Sequence, residues 1–319
     1  MPRIRHLGVL AALVFACAVS AQEYPTKPVR ILVPYPPGGA SDVTARVLAD
    51  KLSKRWGKPV FVENKAGANG VIGTETIAHA EPDGHTMGLV ASSHVTNHAL
   101  MKSVPYALAD MTPVTITAQV QLGLVVHPSV PASTVRELVA YAKANPDKLA
   151  VATSGRGSNP QLWALAFMQA TGTKMVDVAY KGSAAAHPDL LSGQTQVVFD
   201  AVAAVMPHVK AGKLKLLAVG GAKRSPFLPD TPTMVEAGVP GYVNASWGAV
   251  IVPAKTPKAI VDRLNADIVA ILNEPDTKER LAGLSAEVIA NSPAEAAALM
   301  NSEEVRLTKL IKDVGIPPE

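Results

Sequence analysis

Two glycine-bearing loops hold the chemistry this sequence offers. In "RILVPYPPGGASDVTARVLADKL", residues 30–52, an apolar run meets Tyr35, Pro36, Pro37, Gly38, Gly39, Ala40 and Ser41, then a helical pattern. In "LAVATSGRGSNPQLWALAF", residues 149–167, the order recurs, with Ser154, Gly155, Arg156, Gly157, Ser158 and Asn159 in the loop. Glycine permits backbone geometry other residues resist, and the first amides of a helix have no acceptor within it. Each loop is therefore expected to present bare N–H groups and the positive end of a helix dipole. Such an end favours an anion by about 0.3–1 kcal/mol, and by about 2 when partly buried. Charge-assisted hydrogen bonds add about 1.5–3 kcal/mol each. Since a micromolar complex needs roughly 8 kcal/mol net, two ends gripping one small carboxylate could supply it where one could not. The plainer alternative stays open: each loop is a capped helix start with nothing bound, Ser158 or Asn159 capping and Pro160 in the first helical turn. Asp42 would compete with an anion at the first helix if it pointed inward, so it is expected to face away or to act through water.

Other candidates lie at strand ends. Ser92 and Ser93 follow an apolar strand and could donate hydroxyls or shape a turn. Tyr180, before Lys181 and Gly182, follows another. Asp200 follows "TQVVF", where it meets a ligand ammonium, amide or ordered water, or caps the next helix. His94 and His98 are spaced to share a helical face as metal ligands, but no third ligand is evident and a surface or packing role is favoured. Trp247 either reports closure by fluorescence or simply packs. A dinucleotide fingerprint, a phosphate loop, G-x-S-x-G and H-E-x-x-H are all missing. A hydrolase built on Ser41, Ser158 or Asp200 lacks a base at a characteristic spacing. No enzyme, cofactor or metal is therefore expected.

An alternating scaffold must position these loops. Of the 319 residues 48% are apolar and 18% charged, enough for a large core, and Pro and Gly fall at element ends. Strands are predicted at 29–33, 60–63, 86–91, 120–126, 149–153, 175–179, 195–199 and 214–219. Helices are predicted at 42–54, 71–80, 160–170, 184–192 and 202–211, with one more opened by the Thr134–Glu137 capping box. This alternation predicts a parallel sheet with helices on both faces and ligands at the strand-to-helix edge. From residue 246 the character changes: "WGAVIVP" is a strand, and two amphipathic helical segments follow, the last opened at Ser292-Pro293-Ala294-Glu295. The simplest arrangement is α/β with two lobes and a ligand cleft between them. Residues 22–122 with 247–319 form lobe 1, and 123–246 form lobe 2.

Residues 1–21 are expected to be a secretory signal peptide: Arg3 and Arg5, an apolar run from 7 to 19, and small residues up to a cut after Ala21. The single cysteine, Cys17, lies inside it, so the exported chain would have no disulfide or thiol chemistry. Phe15 argues against lipidation of Cys17. The formal charge of +4 falls to about +2 once both arginines leave, too mild for nucleic-acid binding.

Together these stretches resemble the Bug family, the extracytoplasmic solute receptors of tripartite tricarboxylate transporters. The resemblance is carried by the two loops with "VFVENKAGANGVIGTETIAHAEPDGHTM", "VAYKGSAAAHPDLLSGQTQVVFD", "HVKAGKLKLLAVGGAKRSPFLPDTPTMVEAG" and "KTPKAIVDRLNADI", and it runs from about residue 24 to 315. It implies a periplasmic Venus-flytrap binding protein, a monomer that closes on a small organic acid. The acid would pass to the permease subunits of the transporter, or the receptor would signal to a sensor kinase; a ligand-independent scaffold is the further alternative. It also implies that 35–41 and 154–159 pin a ligand carboxylate and that Asp200 addresses the distal part of the ligand. Arg156, the Asn159-Pro160-Gln161-Leu162 stretch and His187-Pro188 depart from the family pattern, which leaves the ligand open.

Overall fold

The computed structural model describes residues 24–155 and 157–318. The predicted signal peptide, Cys17 and Arg156 lie outside the described residues. In chain order the elements are β1 (Val29–Val33), α1 (Ala40–Trp56), β2 (Val60–Asn64), α2 (Val71–Ala78), β3 (Thr86–Ala91), α3 (Ser93–Leu100) and β4 (Met111–Val126). Next come α4 (Val135–Ala144), β5 (Ala150–Thr153), α5 (Asn159–Thr171), β6 (Val176–Ala179), α6 (Ser183–Ser192), β7 (Val197–Ala201), α7 (Val202–Lys210) and β8 (Lys215–Val219). The chain ends with β9 (Ala245–Pro253), α8 (Lys258–Leu272), α9 (Pro275–Ala282), β10 (Ala286–Val288) and α10 (Pro293–Asp313).

β1 is apolar throughout apart from Arg30 because helices cover it on both sides. Ile31 and Val33 pack with Leu48 and Leu52 of α1 and Ile268 of α8. Leu32 points the other way, into the cluster holding Val95 of α3 and Leu307 of α10. β2, β1 and β3 are parallel, as are β6, β5 and β7.

The sheets are mixed, not parallel as the alternation predicted. β9 returns antiparallel between β3 and β4, and β4 runs antiparallel to β7 and β8. β4 is the structural link. Its 16 residues pair first with β9, from Met111 to Gln121, and then with β7, from Leu122 to Val126. The strand predicted from residue 120 begins at Met111, and Pro113 lies within it although proline is rare inside a central strand. The structure accommodates Pro113 at an irregularity in the β4–β9 register, between Pro113 and Thr115. Three helices rather than two segments follow β9, because Pro275 starts α9 anew just past the end of α8.

Where the chain passes between sheets, the backbones come very close. The Gly220 amide donates to Leu122 O at 2.9 Å, and the Asn244 amide donates to Gly220 O at 2.6 Å. A Cβ at Gly220 would lie 2.3 Å from Asn244 O. Gly220→Ala is expected to lower the unfolding free energy by about 1–3 kcal/mol. Gly283→Ala, at a helical backbone position with its nearest contact at 3.4 Å, should leave it unchanged or slightly raised. Urea denaturation of the two variants checks this.

Candidate functional site

The first loop leaves β1 at its buried end and turns at Gly38, whose φ of 91° is the left-handed region glycine tolerates. Gly39 is the N-cap of α1 and has no side-chain cap. The first helical bond runs from the Val43 amide to Gly39 O at 3.0 Å, so the amides of Gly39, Ala40, Ser41 and Asp42 have no acceptor within the helix. Pro36, Pro37, Gly38, Gly39 and Ala40 are exposed. A cavity of about 50 Å³ opens at this end, lined by Ala40, Ser41, Ala91, Thr117 and Ser246. That is room for a carboxylate group or about one or two waters.

Asp42 turns away from the helix end, one of the two expected arrangements: its carboxylate is buried and folds back under the loop. Oδ2 accepts from the Gly38 amide at 2.9 Å and from Arg46 Nε at 3.0 Å. Oδ1 accepts from Asn64 Nδ2 at 2.9 Å and pairs with Arg46 Nη2 at 2.9 Å. Burial would raise its pKa, but hydrogen bonds from Arg46, Gly38 and Asn64 outweigh that and hold it below the usual carboxylate range. Asp42 therefore takes one loop amide, Gly38, and leaves the helix-end amides to another anion. Asn64 also donates to Tyr35 O at 3.1 Å. The Tyr35 hydroxyl accepts from the Ala91 amide at 2.9 Å and bonds Ser93 Oγ at 2.8 Å, and burial raises its pKa to about 12. Tyr35 and Ser93 thus brace the loop against β3.

The second loop is more completely capped. Ser158 Oγ accepts from the Gln161 amide at 3.4 Å, and the Ser158 amide donates to Gly155 O at 3.2 Å. The Gly157 amide donates to Gln161 Oε1 at 2.6 Å, and Gln161 Nε2 donates to Asp177 Oδ2 at 2.5 Å. Pro160 has no amide hydrogen. Of the first helical amides here, Asn159's is the one without a bond among the described residues. The two matched amide pockets read from the sequence are therefore unequal.

The side chain of Asn159 reaches across. Its Nδ2 donates to Ser92 Oγ at 3.0 Å and lies 3.5 Å from Ser246 Oγ, and the two serine oxygens are 3.1 Å apart. The sequence reading missed Ser246, and it noted Gln161 only as part of a departure. Gln161 had a readable signal, standing four residues after a loop glycine as Asp42 stands after Gly38.

The remaining candidates hold partners of their own. The Tyr180 hydroxyl donates to Asp189 Oδ2 at 2.6 Å. Ser154 is half-buried beside Gly155, whose φ is 112°. Asp200 is 4% exposed; its Oδ1 accepts from the Ala201 amide at 2.7 Å and its Oδ2 lies 2.8 Å from His187 Nε2. The Asp200 hydrogen bond raises the His187 pKa against the opposing effect of burial, and His208 stands edge-on at 5.8 Å. His94 is buried in parallel orientation to Tyr106, and His98 Nε2 bonds Tyr106 O at 2.8 Å. Trp247 is buried in the apolar cluster between α3 and α10. Among the described residues, no helix is long and apolar enough to cross a membrane.

Residues 44–316 match the model of the tripartite tricarboxylate transporter family receptor. The chain is 36% identical over 313 residues to the protein BugT of Bordetella pertussis, covering 97% of this chain and 96% of that one. The periplasmic binding protein BugD superposes with a TM-score of 0.78 at 34% identity, over 93% of this chain and all of that one. Rpa4515 of R. palustris, solved with adipate, gives 0.81 at 34% identity over the same shares. The fold is the mixed α/β fold of these periplasmic binding proteins.

The His187–Asp200 pair sets a pH dependence. A histidine pKa raised by folding contributes stability that is fully present below the unfolded value of about 6.5 and is lost as pH rises through the folded one. The melting-temperature difference between the native chain and His187→Gln is expected to be largest near pH 5 and to shrink at alkaline pH. Thermal unfolding across that range measures it, and a constant difference would contradict the pairing.

Proposed function

The chain belongs to the tripartite tricarboxylate transporter receptor family, and on that premise we propose that it captures a small organic dicarboxylate between two lobes. Residues 24–122 with 247–318 form one lobe and 123–246 the other. The first carboxylate sits on the amides that open α1. Ser92, from the same lobe, and Ser246, at the crossing into β9, line the space beside it, and Asn159 meets the ligand from the other lobe as the lobes close. The receptor acts in the periplasm after export and cleavage following Ala21, and it hands its ligand to the membrane permease subunits of a tripartite transporter.

The observation that carries this reading is the bare start of α1. The exposed backbone there lacks a side-chain cap, and its own acid is held back by Arg46 and Asn64. The dipole contributes up to about 2 kcal/mol and each charge-assisted amide bond about 1.5–3. Two or three such bonds bring one carboxylate near micromolar affinity before ordering costs. The second lobe supplies the remainder. The adipate in Rpa4515 supports a dicarboxylate.

Titration calorimetry with succinate, glutarate and adipate, each beside its dimethyl ester, tests the proposal. At least one diacid should bind one-to-one, and its ester should bind at least about 100-fold more weakly, in line with the loss of two charge-assisted bonds. Flat traces for every diacid, or an ester that binds as tightly, would overturn it.

A further inference from the structure

On the side of the lobe-1 sheet opposite α1, a second cavity lies between α3 and α10. Its volume is about 560 Å³, within the range of small-molecule sites. Leu108, Met111, Ile251 and Met300 supply apolar walls, and the rings of His94 and Tyr106 supply aromatic ones. Nothing in the proposed transport function uses this space.

Two polar features point to an occupant. His94 is 2% exposed, and its Nδ1 is buried with no hydrogen-bond partner among the described residues. Leaving such an atom unsatisfied costs about 1–3 kcal/mol. Burial, helped by the nearby His98, lowers the His94 pKa to about 4, so at neutral pH the ring is uncharged and can accept a hydrogen bond. At the mouth stands Glu304 of α10, half-buried, with no hydrogen bond or ion pair among the described residues. No lysine or arginine lines the cavity. Among the described residues Glu304 is the one carboxylate lining it, and it would repel an anion of the kind proposed for the cleft. A cation with N–H donors and an apolar body meets a carboxylate and an aromatic face in one space.

We propose that this cavity is a second binding site, for a small organic amine whose ammonium pairs with Glu304 at the mouth and whose apolar body fills the space beside His94 and Tyr106. It takes the charge opposite to that taken by the cleft.

The probe is 2-phenylethylamine, compared with its uncharged analogue 2-phenylethanol and the anion 3-phenylpropanoate, by calorimetry and saturation-transfer NMR on the full exported chain. The amine should bind saturably with one site. Glu304→Gln should weaken it at least about tenfold, the scale of one charge-assisted contact. Ala297→Phe should abolish it by filling the cavity. Asn301→Trp, at an exposed mouth position, does the same if the first variant fails to fold. The proposal is overturned by any of three results: no saturable binding up to about 10 mM, alcohol or carboxylate binding as tight as the amine, or amine binding that survives the filling variants.

Discussion

The site rests on one buried carboxylate and the donors around it. Asp42 stands in the first turn of α1, where an acid would ordinarily turn to the helix end and satisfy its amides. Arg46, one turn on, and Asn64, at the end of β2, hold it beneath the loop instead. Arg46 neutralises the charge, so the positive end of the helix remains uncompensated. Removing Arg46 would leave the buried carboxylate held only by the Gly38 amide and Asn64. The same carboxylate fixes Gly38 through its amide, so the loop's shape and its electrostatics have one source.

The rest of the site is carried by strands that connect the two sheets. β4 changes partners from β9 to β7 at about residue 121, and Ser246 enters at the start of β9. Asn159 at the head of α5 touches Ser92 and Ser246. Gly157 packs against Leu100, with room for a Cβ only 3.2 Å from Leu100 Cδ1. Separating residue 159 from residues 92 and 246 would break these contacts. The second loop is braced by Gln161 and Ser158 and contributes side chains more than bare amides.

The sequence was most readable where chemistry is local. β1 and β3 matched residue for residue, and the caps at Thr134 and Ser292 follow from side chains three residues from their partners. β4 was read only from residue 120, whereas its pairing with β9 begins at Met111 and passes Pro113 at a register irregularity. Both strand-to-helix loops were identified, but their inequality was not. It depends on Asn64, twenty-two residues from Asp42, and on Asp177, sixteen from Gln161. The four-residue spacing from loop glycine to Asp42 or Gln161 is local, but the distant partners that hold those side chains in place are not. Ser246 was invisible for the same reason, its partners lying 154 and 87 residues away.

Replacing Ala40 by proline tests the central claim most directly, because it deletes one of the free amides and little else. Ala40 is exposed and is the first helical residue, where proline is well accommodated. Gly39, at φ −76° and ψ 170°, already has a backbone suited to precede it. Calorimetry with the tightest-binding diacid should show affinity reduced about 10- to 100-fold, the value of one charge-assisted bond, at an unchanged melting temperature. Equal affinity in the two proteins would mean that the start of α1 does not hold the ligand.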